Sequence, residues 1–166
     1  PSVNLLGTQR DDEEMRKYGS EENYWEKFWT HKIEMGSGFE FSTLDKKEAL
    51  SDIQLRINLP ARSSFGIGSR LAVPSTLVRP LYLTGNMCVI NGPVTVSMDV
   101  VDMNGDKREL NRFDLSGNYD ASERCKVSMT LANITKYRGR KIELIITMSS
   151  ERHSHVIMDD IYYSPD

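Results

Sequence analysis

A two-residue hydrophobic period recurs along most of this chain and leaves little room for anything but β-structure. Ile53, Leu55, Ile57 and Leu59 alternate with Gln54, Arg56 and Asn58 before Pro60 ends the run. Val94, Val96, Met98 and Val100 alternate with Thr95, Ser97 and Asp99, and Cys125, Val127, Met129 and Leu131 with Lys126, Ser128 and Thr130. Ile142, Leu144, Ile146 and Met148 repeat the pattern, with Ile145 facing the other way. Successive side chains on a strand point to opposite faces, so this spacing is that of half-buried strands. Weaker strand signals cover 33–41, 65–73, 77–83, 87–90 and 156–163.

Turn residues punctuate these runs. Asn104-Gly105 lies between two strand-like stretches and accepts the positive φ angles of a tight hairpin. Asn91-Gly92-Pro93 breaks the chain before Val94, and Tyr137-Arg138-Gly139 before Ile142. About nine short strands with no crossover helices between them predict an all-β fold, an antiparallel jelly-roll β-sandwich. Residues 10–30 are polar and charged, with Tyr24, Trp25, Phe28 and Trp29 late in the stretch. Ser20 would cap a short helix carrying Trp25, Phe28 and Trp29 on one face. We therefore expect a short helical or irregular N-terminal segment, 1–32, packed on a single domain spanning 1–166. Its sharper reading is an exposed platform of Tyr24, Trp25 and Trp29 for sugar or protein contact.

Composition narrows the function classes. The chain has 166 residues, 39% hydrophobic and 27% charged, enough to bury a core without help from crosslinks. Its net charge is -3 and its basic residues gather in no stripe, which argues against nucleic acid as a partner. No apolar run approaches the length needed to cross a bilayer. No leader pattern opens the chain at Pro1, and a processed leader would leave none, so compartment is read from other clues.

Cys88 and Cys125 are those clues, together with Asn133. The cysteines read either as two buried free thiols or as one disulfide, facing each other between sheets or across neighbouring strands. Asn133-Ile134-Thr135 is an N-glycosylation sequon. Together they favour a secreted or cell-surface origin.

The C-terminal stretch Val156-Ile157-Met158-Asp159-Asp160-Ile161-Tyr162-Tyr163 resembles the closing strand of MAM domains and of galactose-binding-like jelly rolls. Gly38-Phe39-Glu40 resembles their early Phe-Glu pair, and 70–74, 94–101 and 141–148 resemble successive strands in the same order. The chain carries two cysteines where MAM domains usually carry four. The resemblance implies an extracellular module, and a structural Ca2+ held in part by Glu40 and by Asp159 or Asp160.

Other constellations are sparse. Asp99, Asp102, Asn104 and Asp106 have a calcium-like spacing without a glutamate at the twelfth loop position, so strand and hairpin account for them. His153 and His155 would share a face of an extended segment, as zinc ligands do, but no third ligand is visible. No nucleophile elbow, phosphate-binding loop or His-Glu-x-x-His motif occurs. Gly66 and Gly68 lie inside an alternating strand and read as packing or bulge positions. Cys125 with a distant histidine reads as a buried or bridged sulfur before a nucleophile. The chain is thus expected to be no enzyme but an extracellular protein-interaction or adhesion module. Its eight Met and seven Tyr suit adaptable interfaces. The alternatives are a carbohydrate-binding domain and a structural jelly roll that self-assembles into a homo-oligomer.

Overall fold

The computed structural model describes residues 3–4, 29–34, 38–43, 53–73, 75, 80–117, 125 and 128–163. Eleven strands lie among the described residues: β1 (Val3–Asn4), β2 (Trp29–Glu34), β3 (Gly38–Thr43), β4 (Ile53–Leu59), β5 (Ser63–Ala72), β6 (Tyr82–Ile90), β7 (Val94–Val101), β8 (Lys107–Leu115), β9 (Ser128–Asn133), β10 (Lys141–Ser150) and β11 (Ser154–Tyr163). The one helical element among the described residues is a three-residue 3-10 turn, Thr135–Tyr137. It is neither long nor apolar enough to cross a membrane.

The strands form two antiparallel sheets. The first has the order β3-β4-β11-β6-β9, with β1 pairing onto β11 beyond the reach of β4; the second has the order β2-β5-β10-β7-β8. Hairpin partners aside, the chain repeatedly crosses from one sheet to the other, so most strand neighbours are distant in sequence. This is the expected β-sandwich, with the inward halves of the alternating runs closing its core. Ile57 and Leu59 of β4, Phe65 and Ile67 of β5, Met87 and Val89 of β6 and Val156 and Met158 of β11 are buried there. Val94, Val96, Met98 and Val100 meet them from β7, and Leu144, Ile146 and Met148 from β10. Each such side chain contributes about 1.5–3 kcal/mol through removal from water.

Several sequence expectations are refined. Residues 77–79 lie outside the described residues; the end of the 77–83 signal, from Tyr82, joins that at 87–90 in the single strand β6, where Gly85 takes an inward position between Leu83 and Met87. An added Cβ there would lie 2.3 Å from Cδ1 of Ile161 and 3.2 Å from Cδ1 of Leu131. Gly85→Ala is expected to destabilise by about 1–3 kcal/mol. Ile161→Val removes the obstructing methyl, so the double variant should be more stable than additivity predicts; urea titration of the four-member cycle checks this.

The hairpin at Asn104-Gly105 forms, but its turn is wider than a two-residue connection. Gly105 alone has positive φ, at 82°. Asp102 organises the loop: its Oδ1 accepts the N–H groups of Asn104 (2.8 Å) and Asp106 (3.1 Å), and its carbonyl accepts that of Gly105 (3.0 Å). The carboxylate that resembled a calcium ligand is therefore occupied with backbone amides. Val73 and Gly139 lock the break before β10: Gly139 N–H donates to the Val73 carbonyl at 2.8 Å, with Gly139 at φ 72°.

Two further corrections concern the chain's start and its cysteines. The strand expected from residue 33 begins at Trp29, so the last residues of the 1–32 segment belong to a sheet edge, and Val3–Asn4 to the other sheet. The helix expected around 20–29 lies outside the described residues. Cys125, read as the first residue of a strand, precedes β9 as non-strand chain. It forms a disulfide with Cys88, 37 residues away, with a Cα–Cα distance of 6.0 Å. The bridge lies neither between the sheets nor across paired strands. Met87 and Val89 point into the core, so Cys88 points outward from the first sheet. There it joins Cys125 and Ile157 in a separate buried cluster, flanked by Ile90. Cys125 is thereby held on the outer face of the first sheet.

Candidate functional site

The outward halves of β5, β10, β7 and β8 compose the outer face of the second sheet. Strand register sets them in four rows: Ser64, Ser149, Thr95, Asp114; then Gly66, Thr147, Ser97, Arg112; then Gly68, Ile145, Asp99, Glu109; then Arg70, Glu143, Val101, Lys107. Five short hydroxyl side chains and two glycines occupy the first two rows and part of the third. Long solvated side chains usually fill such positions; here the backbone floor is low and the hydroxyl groups stand close to it.

Charges border this face along β8 and at one end. Thr95 Oγ1 donates to Asp114 Oδ1 at 2.8 Å, and Arg112 pairs with Glu109. Lys107 Nζ stands 3.9 Å from Asp99 Oδ2, a carboxylate residue only 9% exposed. Where β5 and β7 end and β10 begins, Arg70, Ala72, Val101, Asp102, Lys141, Ile142 and Glu143 line a concavity of about 380 Å³. Its floor is apolar and its wall carries two cations and two carboxylates. Such a wall offers N–H donors and carboxylate acceptors together, the complement of a vicinal diol. The floor suits the C–H face of a ring.

The outer face of the first sheet differs. On it the disulfide packs with Ile157 in a buried cluster. His153 and His155 lie at one end of the face. His153 Nε2 is 2.7 Å from Asn58 Oδ1, and the two imidazole rings meet edge to face with centroids 5.0 Å apart. Asn91 Nδ2 donates to the His153 carbonyl at 2.8 Å. The histidines do converge as the i, i+2 spacing implied, but no group of three metal-ligating side chains occurs among the described residues.

The remaining sequence candidates are spread apart. Glu40 lies on β3 opposite Arg56 of β4, which is itself opposite Ile157 of β11; Asp159 lies two residues further along β11, opposite Asn86 of β6. One strand intervenes between Glu40 and Asp159, so their backbones are roughly 10 Å apart before that offset is added. The register does not make the expected calcium pair neighbours. Asp160 falls in the irregular stretch of β11 between Asp159 and Tyr162. Trp29 opens β2 opposite Ser69, at the edge of the second sheet, whereas Tyr24 and Trp25 lie outside the described residues. Cys125 is bridged and offers no thiolate. Asn133 ends β9 as an exposed residue.

The hydroxyl-lined face was missed in the sequence although its signal is there. Thr95 and Ser97 are the polar halves of an alternating run, and Thr147 and Ser149 hold the matching positions on the neighbouring strand. Gly66 and Gly68 belong to the same face and make no bulge: β5 pairs with β10 residue for residue from Ser63 to Ala72.

No family model matches the chain, and no curated protein matches it by sequence. Solved structures do match. A family 61 carbohydrate-binding module in complex with β-1,4-galactotriose superposes with a TM-score of 0.54 at 13% identity, covering 86% of this chain and 94% of that one. A structure described for the promiscuous specificity of carbohydrate-binding modules of the β-sandwich superfamily gives 0.56 at 7% identity, over 82% of this chain and 56% of that one. An exo-β-agarase gives 0.51 at 14% identity, over 81% of this chain and 23% of the enzyme. These likenesses establish the architecture: a β-sandwich of the kind found in carbohydrate-binding modules, consistent with a galactose-binding-like fold. The resemblance to MAM domains gains no support from them.

Proposed function

We propose that the chain is a carbohydrate-binding module, working by recognition and not by catalysis, in a secreted or cell-surface setting. A glycan lies across the outer face of the second sheet and places one ring in the 380 Å³ concavity at its end. The observation that carries this reading is the asymmetry of the two outer faces. One carries the buried Cys88–Cys125 bridge; the other is lined by glycine, serine and threonine and ends in Arg70, Lys141, Glu143 and Asp102. The carbohydrate-binding neighbours support it, and support it better than the adhesion role implied by the MAM resemblance. The disulfide supports an oxidising compartment.

The test is a glycan array followed by calorimetric titration with the best neutral oligosaccharide. Arg70→Ala and Glu143→Gln are each expected to weaken binding tenfold or more, equivalent to about 1.4 kcal/mol. Their thermal midpoints should move little, since neither side chain is in the core. Absence of any glycan ligand, or unchanged affinity in both variants, would overturn the proposal.

A further inference from the structure

We infer that Asn133 carries an N-linked glycan whose first sugar covers Tyr82 and closes off the β9 edge of the first sheet. Three observations meet at this position. Asn133 is exposed at the end of β9, which is the last strand on its side of the sheet. The sequon continues through Ile134, fully buried, to Thr135. Directly opposite Asn133 in the β6–β9 register stands Tyr82, 45% exposed. Tyr82 and Met103 are the two large apolar side chains most open to solvent among the described residues.

The local geometry presents the carboxamide outward. Thr135 N–H donates to Asn133 Oδ1 at 3.0 Å, which holds that oxygen against the turn and leaves Nδ2 as the group facing solvent. Thr135 Oγ1 accepts the Leu81 N–H at 2.7 Å and returns a longer bond to the Leu81 carbonyl, 3.4 Å. The sequon hydroxyl is thus taken up by tertiary structure once the chain has folded. Transfer therefore precedes closure of this turn. In the transfer, Asn133 Nδ2 bonds to the anomeric carbon of a lipid-carried oligosaccharide diphosphate. The carbon–oxygen bond to the diphosphate breaks, and the Nδ2 proton leaves with the lipid diphosphate. After folding, the sugar emerges beside an aromatic face one strand spacing away, where its apolar side can stack. A bulky polar group at this place also blunts the Asn133 end of β9 against pairing with another chain, beyond the point where the Leu131 carbonyl accepts Asn111 Nδ2 at 2.9 Å.

This inference does not depend on the carbohydrate-binding reading, because it concerns a sugar attached to the chain on the opposite sheet. The protein is expressed through the secretory pathway of a eukaryotic cell and recovered from the medium. Enzymatic release of N-glycans is expected to lower its mass and leave aspartate at position 133, whereas Asn133→Gln should show neither change. Thr135→Ser, which keeps the hydroxyl, should still be modified. Nitration of Tyr82 should be several-fold slower before glycan release than after it. A secreted, folded wild-type protein with unmodified Asn133 would overturn the attachment, and equal Tyr82 reactivity before and after release would overturn the shielding.

Discussion

Replacing Cys88 and Cys125 together by alanine is expected to lower the unfolding free energy by about 4 kcal/mol. The bridge closes a loop of 37 residues, and in the chain-entropy account a crosslink of that span removes about that much from the unfolded state's advantage. Domains of this size are typically stable by only about 5–15 kcal/mol, so the loss takes a large share. Burial adds to the effect, because both sulfurs are hidden with Ile157 and the substitutions leave a gap there. Urea titration of oxidised wild type, reduced wild type and the double variant measures it. The reduced protein and the variant should both fall well below the oxidised form, the variant lowest because it also loses the buried sulfurs. Coincident curves for oxidised and reduced protein would show that the bridge does not hold the fold. The same samples carry a second readout: if the glycan face is on the other sheet, reduced protein that is still folded should bind with unchanged affinity.

That second readout matters because the disulfide occupies one of the two outer faces. Both sheets alternate apolar and polar residues, and each therefore has an inner and an outer surface. The sequence shows the polar half of every strand without showing what stands over it. Arg56, Ile157 and Cys88 lie side by side on the first sheet, while Thr147 and Ser97 do so on the second. The packing of Cys125 against Cys88 covers part of the first of these surfaces.

The strands themselves were legible wherever the inward residues were large and aliphatic, as in β4, β7 and β10. Legibility failed where an inward position had to be small. Gly85 faces the core because Ile161 and Leu131 already fill the space, and the missing side chain reads as a gap between two strands. It failed again at Cys125, whose buried sulfur continues the apolar period of β9 although the residue is off the strand. The period records burial, and burial on an outer face looks the same as burial in the core. The site was the least legible part. Its residues come from 64–70, 95–102, 107–114 and 141–149, and register alone gathers them into rows.

Phe65→Ala is expected to destabilise the protein by about 3–5 kcal/mol, the cost of removing a large, fully buried ring and leaving a cavity behind it. Phe65 belongs to the core and is paired across the sheet with the fully buried Met148 of β10. At this chain length the melting temperature should fall by roughly 10 °C. Thr147 makes the informative comparison, since it lies one residue from Met148 on the same strand but faces outward. Thr147→Ala should change stability by about 0.5 kcal/mol or less, as surface substitutions do, while weakening glycan binding. A half-buried strand has an exact two-residue period, so a register slip of one position would exchange these two outcomes. Measuring both variants by thermal unfolding and by titration therefore tests the core, the register and the binding face together. A stable Phe65→Ala protein paired with a badly destabilised Thr147→Ala protein would mean that β5 and β10 present the opposite faces to the core.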